Sequence, residues 1–162
     1  MTRELLRTRI LGDLGSTEIT EEGQALTLGA VLADGDRLIG DVVLFFRSRE
    51  HAGGELGYVF HPETAGQGYA AEACSAMLAL AFDVLGLHRV VARLDARNQD
   101  SARLAKRLGM RQEAHLISNE MFKGEWSDEI ICALLAAEWP DSPAHRINSG
   151  VTRSGRSGLR TG

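Results

Sequence analysis

The sequence predicts an α/β chain organised on a mixed, mostly antiparallel sheet with one parallel crossover. Three observations carry this expectation. Runs in which apolar side chains alternate with a period of two recur on both sides of one long helical period. Short turn signals separate several neighbouring runs, as hairpins require. Only residues 55–96 read strand, helix, strand, the one arrangement that demands a parallel pair.

Taken in order, residues 3–11 place Leu5, Leu6, Arg7, Ile10 and Leu11 in a helix-like pattern and predict a short helix. "LTLGAVL" (26–32) alternates Leu26, Leu28, Ala30 and Leu32 on one face, which is strand spacing. Asp34-Gly35 within "ADGDR" is a hairpin-turn signal, and "LIGDVVLFF" (38–46) follows as the partner strand. "REHAGG" (49–54) reads as a loop and "ELGYVF" (55–60) as a third strand ending before Pro62. From Ala70 to Leu85, Ala73, Met77, Leu80, Ala81 and Val84 share one helical face, with Gly86 as the stop. "HRVVARLDA" (88–96) returns to strand alternation. A shorter helix runs from Asp100 or Ser101, whose side chain would cap it, to Leu108, and Gly109 stops it. "EAHLISNEMF" (113–122) and "DEIICALLA" (128–136) form a last hairpin around "KGEW". One domain is expected over 1–139, and 140–162, rich in Gly, Ser, Arg and Pro, is expected to be a disordered basic tail.

The net charge of −4 argues against a phosphate-backbone binder, so no nucleic-acid partner is expected. No apolar stretch approaches the ~20 residues of a membrane span, and the first ten residues hold no signal-peptide core. Cys74 and Cys132 sit in apolar runs without metal-ligand spacing; they read as reduced core thiols of a cytoplasmic protein, and no metal is expected.

"HPETAGQGYAAEA" (61–73) carries the chemistry and admits three readings. Gly66-x-Gly68-x-x-Ala71 fits a dinucleotide fingerprint, with Asp95 ending the next strand. Against it, His61 to Ala65 separate the strand from the first glycine, and the flanking hairpins leave no second mononucleotide half. A P-loop is excluded because no Lys-Ser/Thr pair follows the glycines. The second reading is an anion site, formed by backbone N–H groups at a helix start with no Cβ to hold phosphate oxygens away. The third is a turn that merely caps a buried helix.

Downstream residues complete a wider pattern. Ala65-Gly66-Gln67-Gly68-Tyr69-Ala70 is followed by Asn98-x-x-Ser101 opening the next helix, by Leu108-Gly109-Met110 at its end, and by "KGEWSDE" in the last hairpin. Over roughly residues 26–139 this order and spacing resemble the GNAT N-acetyltransferases, most of all the bacterial branch that acetylates α-amino termini of ribosomal proteins. The resemblance implies the GNAT acyl-CoA N-acyltransferase fold, acetyl-CoA as cosubstrate in place of NAD, and a homodimer. It implies that strands 55–60 and 88–96 splay to admit the pantetheine arm along Val59 and Phe60. The pyrophosphate would lie on the amides of Gly66, Gln67, Gly68, Tyr69, Ala70 and Ala71, with Asn98 and Ser101 beside the arm.

Acetyl transfer to an amine needs a base for the amine proton, donors for the oxyanion and an acid for the leaving thiolate. Many members of the family place a Tyr acid seven residues after the Asn, where this chain has Ala105. In the ribosomal-protein branch the serine serves as acid and a strand glutamate as base, which implies Ser101 and Glu120 here. Glu55 is a weaker base candidate, and His61 and His115 are weaker still. A terminal α-amine, of which roughly a tenth is neutral at pH 7, suits such a site better than a Lys side chain. A protein N-terminus and a small aminoglycoside-like amine both meet that condition, and a non-catalytic coenzyme- or protein-binding module is the alternative class. The resemblance further implies a first strand and two helices before residue 26, of which the first strand and first helix are expected to be missing. A late start codon or a partner chain covering the sheet edge would account for that.

Overall fold

Side-chain alternation along the strands sorts residues onto two sheet faces, and the helices gather over one of them. The computed structural model describes residues 6–10, 21–32 and 37–155. In chain order the elements are β1 (Leu6–Ile10), β2 (Ala25–Leu32), β3 (Leu38–Ser48), β4 (Gly53–Phe60), α1 (Tyr69–Ala79), β5 (Arg89–Asp95), α2 (Gln99–Leu108), β6 (Arg111–Phe122), β7 (Glu125–Leu135) and α3 (Pro143–Gly155). The sheet has seven strands in the order β1-β2-β3-β4-β5-β7-β6. All neighbours are antiparallel except β4 and β5. The expected mixed α/β sheet is therefore the observed one.

The core lies between the sheet and the helices. Leu28, Val42, Leu44, Leu56, Val90 and Ala92 point from the strands toward Met77, Leu78 and Leu108 of the helices. Burial alternates along β5, where Val90, Ala92 and Leu94 are buried and Arg93 is exposed. Arg89, Arg93 and Asp95 of β5, with Glu129 of β7 opposite Asp95, therefore fall on the other face. The helices α1, α2 and α3 pack against one another over the apolar face. Past Ala79 the helical run continues as a π turn over Leu80–Val84. There Phe82 stacks on Trp139, and Asp83 accepts a 2.9 Å hydrogen bond from the Trp139 indole N–H.

Three expectations are corrected. Residues 6–10 form a strand, not a helix, and lie antiparallel to β2 with Leu6 opposite Leu32 and Ile10 opposite Leu28. Leu6, Thr8 and Ile10 alternate with Arg7 and Arg9, a two-residue period that nine residues can hide inside a helical one. A first strand is thus present, contrary to the expected loss. The expectation for the helices before β2 falls on residues 11–20, which lie outside the described residues. The remainder of the 3–11 expectation and the Asp34-Gly35 turn lie outside the described residues.

The third correction concerns the tail, where Pro143–Gly155 is helical. Ser142 precedes a proline at the first helical position, and its Oγ accepts the His145 backbone N–H at 3.1 Å while donating to the Trp139 carbonyl at 2.7 Å. Ala144 is fully buried and Ile147 packs on the core, so composition hid a short apolar face at helical spacing. Replacing Ser142 by Ala removes this cap. Urea denaturation is expected to show a loss of about 1–2 kcal/mol with an unchanged m-value.

Candidate active site

Parallel pairing between β4 and β5 lasts three residue pairs, Gly53↔Arg89, Gly54↔Val90 and Glu55↔Val91. Beyond them β4 stays paired to β3 as far as Phe60, and β5 to β7 as far as Asp95. The two strands part, and the inner edge of β4 from Leu56 to Phe60 faces the gap. Val59 is 70% exposed and Phe60 half-buried on this edge. Tyr58 spans the parting: its hydroxyl donates to the Ser101 carbonyl at 2.9 Å and ties β4 to the first turn of α2. Burial raises the Tyr58 hydroxyl well above the ordinary phenol range, with the buried thiols of Cys74 and Cys132 adding to the effect.

The glycine stretch follows β4. A short 3-10 turn over Pro62–Thr64 leads to Gly66 and Gly68, at φ of 78° and 84°. A side chain at either position would be strained in this left-handed backbone. Gly68 is the N-cap of α1 and supplies no side chain to it, so the amides opening the helix are left to other acceptors. Tyr69 and Ala71 turn into the core while Gln67 is exposed. The Arg107 guanidinium lies 3.5 Å from where a Cβ on Gly68 would stand, which places a cation beside the loop. The loop geometry and the free β4 edge both fit a phosphorylated, strand-like ligand.

After β5, Asn98 is the N-cap of α2, and its Oδ1 accepts the Ser101 backbone N–H at 3.1 Å. The cap is Asn98 where Asp100 or Ser101 was expected. Ser101 is free of that duty, and Asn98 retains its amide NH₂ for another partner. Asn98 and Glu120 line the same cavity, which also includes Asp95, Phe122 and Lys123. Sequence separation gave no hint that the two converge. Ser101 is not among the residues that line the cavity.

Glu120 owes its position to an irregularity in the β6–β7 ladder. Leu116 pairs with Glu129 and Glu120 with Ser127, so three residues of β6 bulge opposite Asp128 alone. Asp128 stabilises the bulge by accepting the Ser118 backbone N–H at 2.8 Å, and His115 Nε2 lies 2.9 Å from its other oxygen. Ser118 takes a φ of 47° there. The hairpin closes on Lys123 and Gly124, both at positive φ, as a two-residue primed turn requires. Contact with Glu129 raises the Glu120 carboxyl above the ordinary range, first through a hydrogen bond and then through charge.

The weaker base candidates are engaged elsewhere. Glu55 pairs with Arg47 at 2.9 Å, His115 with Asp128, and His61 caps the 3-10 turn through its backbone. Four residues at the site were not anticipated from sequence: Tyr58, Arg93, Asn119 and Glu129. Charged residues inside the apolar runs of β5 and β7 were a visible signal, but only strand register brings Arg93 and Glu129 together. Among the described residues no group of three His, Cys, Asp or Glu side chains is placed to hold a metal ion, and no helix is long and apolar enough to cross a membrane.

A mixed sheet parted at its one parallel pair, with a double-glycine turn opening the crossover helix, is the fold of the acyl-CoA N-acyltransferases. The chain belongs to the GNAT family: the acetyltransferase (GNAT) domain matches residues 2–111. It is 38% identical over 109 residues to the uncharacterized N-acetyltransferase YnaD of Bacillus subtilis, over 67% of this chain and 64% of that protein. It therefore spans just under two thirds of that relative's length. A solved acetyltransferase (GNAT family) from Bacillus anthracis is 33% identical with a TM-score of 0.64, covering 69% of this chain and 67% of the other. The ribosomal protein uS5 alanine N-acetyltransferase of Escherichia coli is 29% identical over 125 residues, over 75% of this chain and 63% of that protein. The domain match ends at Arg111, so the hairpin bearing Glu120 lies beyond it.

A second carboxylate at the cavity, Asp95, is shifted in the opposite direction to Glu120. Asp95 accepts hydrogen bonds from the Arg97 side chain and backbone N–H, which hold its pKa down at about 2. A depressed native value means that any stability from this pair is present above the unfolded value, about pH 4, and lost as pH falls toward 2. Carboxyl carbon NMR of Arg97→Ala is expected to show the Asp95 midpoint rising toward the ordinary range.

Proposed function

We propose that the chain is an N-acetyltransferase that moves the acetyl group of acetyl-CoA to a primary amine by direct attack in a ternary complex. The observation that carries this reading is the parted β4–β5 pair, with a double-glycine turn after one strand and Asn98 after the other. The open β4 edge suits the pantetheine arm, whose amides can pair with the backbone at Val59 and Phe60 like an added strand. Gly66 to Ala71 would present amides to the pyrophosphate, and the α1 dipole favours negative charge there. The Asn98 amide would steady the arm where the strands diverge.

In this reading the Glu120 carboxylate takes the proton from the incoming ammonium, so that a neutral amine attacks the thioester carbonyl. The Ser101 hydroxyl donates to the departing sulfur. Support for Glu120 is its place with Asn98 on one cavity wall. Support for Ser101 is its position one turn into α2, with Asn98 doing the capping. The acceptor is read as a protein N-terminal α-amine, on the strength of the similarity to the ribosomal-protein enzyme. A small-molecule amine is the second reading, favoured by the carboxylates Asp95, Glu120 and Glu125 around the cavity, which suit a cationic acceptor. A cytoplasmic setting is supported by the free cysteines Cys74 and Cys132, and a homodimer by the family resemblance alone.

Calorimetry with acetyl-CoA tests the donor: saturable binding is expected, and no heat at millimolar ligand would remove the proposal. Gly68→Val is expected to weaken that binding. Release of free thiol, scored across N-terminal peptides, polyamines and aminoglycosides, identifies the acceptor. Glu120→Gln is expected to lower turnover by about 10²–10⁴-fold at unchanged coenzyme affinity. Full turnover in both Glu120→Gln and Ser101→Ala would overturn the two assigned roles and leave the donor assignment standing.

A further inference from the structure

Glu129 is only 1% exposed, although it stands on the sheet face that carries Arg93 and Asp95 of β5. A buried carboxylate survives only with compensating partners. Arg93 Nε stands 2.5 Å from Oε1, too oblique for a formed hydrogen bond, so the contact is an ion pair. Asn119 Nδ2 donates to Oε2 at 2.8 Å. Asn119 reaches that oxygen because the β6 bulge swings residues 117–119 out of ladder register, and the next residue along is Glu120. Glu120 stands opposite Ser127, two residues from Glu129 on the same face of β7, so the two carboxyl groups are neighbours.

Two ionised carboxylates in such contact repel, whereas one proton between them makes a strong hydrogen bond. Arg93 is the cation facing this group and also feels Glu55, but its closest contact is with Glu129. Burial works against the charge on Glu129, while Arg93, Asn119 and Glu120 outweigh it and keep this carboxyl below the ordinary range. Glu120, the member that lines the cavity, is therefore the one of the two that accepts a proton more readily. The other charged groups near Glu120 are Asp95 at the end of β5, and Arg97, Lys123 and Glu125 around the same cavity.

We infer that Glu129 is a positioning residue for amine deprotonation: its buried carboxylate receives a hydrogen bond from Glu120 once Glu120 has taken the acceptor's proton. In that step an ammonium N–H bond breaks, a Glu120 O–H bond forms, and the proton leaves Glu120 for water after acetyl transfer. Glu129 thereby makes an exposed carboxylate a stronger base than an isolated Glu. The inference rests on Glu120 being the base.

The experiment follows Glu120 by carboxyl carbon NMR in the wild-type chain and in Glu129→Gln, beside kcat/KM against pH for both and for Glu120→Gln. Removing the neighbouring charge is expected to lower the Glu120 midpoint, and with it the acid limb of kcat/KM, by about one pH unit. An unmoved Glu120 midpoint in a folded Glu129→Gln chain overturns the inference. Should that variant not fold, the wild-type titration decides: a Glu120 midpoint above the ordinary Glu range, with Glu129 still ionised below it, supports the inference, and the reverse order overturns it. Full turnover in Glu120→Gln removes the base assignment instead, and the NMR midpoints then judge the carboxyl contact alone.

Discussion

The parting of β4 and β5 after three residue pairs is the constraint on which the rest depends. Strands in a parallel pair point the same way, so the segments leaving their carboxyl ends emerge side by side. The segment leaving β4 carries Gly66 and Gly68, and the one leaving β5 carries Asn98. Had pairing continued to Phe60, the inner edge of β4 would have been consumed in the ladder. Because it stops, backbone groups of Leu56 to Phe60 face an opening, and such groups seek a partner. The Tyr58 hydroxyl keeps the opening from collapsing or widening freely, since it fastens one wall to α2.

A second irregularity completes the site from the other side of the sheet. In an unbroken β6–β7 ladder, Glu120 would occupy a regular register position relative to Glu129. The bulge changes that relation and lets Asn119 and Glu120 both turn toward the Glu129 carboxyl. Asp128 braces it, serving the Ser118 backbone N–H and the His115 ring at once. Bulges recur where a side chain must be re-aimed, and this one converts a hairpin edge into a cavity wall.

Legibility in the sequence followed the range of the interactions concerned. β2 to β5, α1, α2 and the last hairpin were readable because local period and turn residues determine them. The φ of Gly68 and the stop at Gly109 were likewise local. β1 was misread because five strand residues carry too little pattern to separate two periods, and pairing with β2 decides the matter. α3 was missed because its helical face is short, with Ala144 buried and Ile147 beside it, and its composition resembles a linker. The candidate site residues Asn98 and Glu120 were named from family motifs, while their convergence on one cavity and the Arg93–Glu129–Asn119 support depend on strand register. No single run of residues contains that information.

The missing tyrosine acid has a structural counterpart. Ala105 is fully buried on α2, and its carbonyl accepts the Met110 N–H at the helix end. A phenol at that position would need room that the packing of α2 does not leave. The one tyrosine at the parting, Tyr58, is a poor substitute as proton donor: its hydroxyl is committed to the Ser101 carbonyl and burial lifts it above the ordinary phenol range. It contributes position, because that bond fixes the turn of α2 carrying Ser101. In the proposed reaction the acid role goes to the Ser101 hydroxyl, a weaker acid than a phenol. A weak acid on the leaving side would make the base on the amine side matter more, the role proposed for Glu120 beside its buried neighbour.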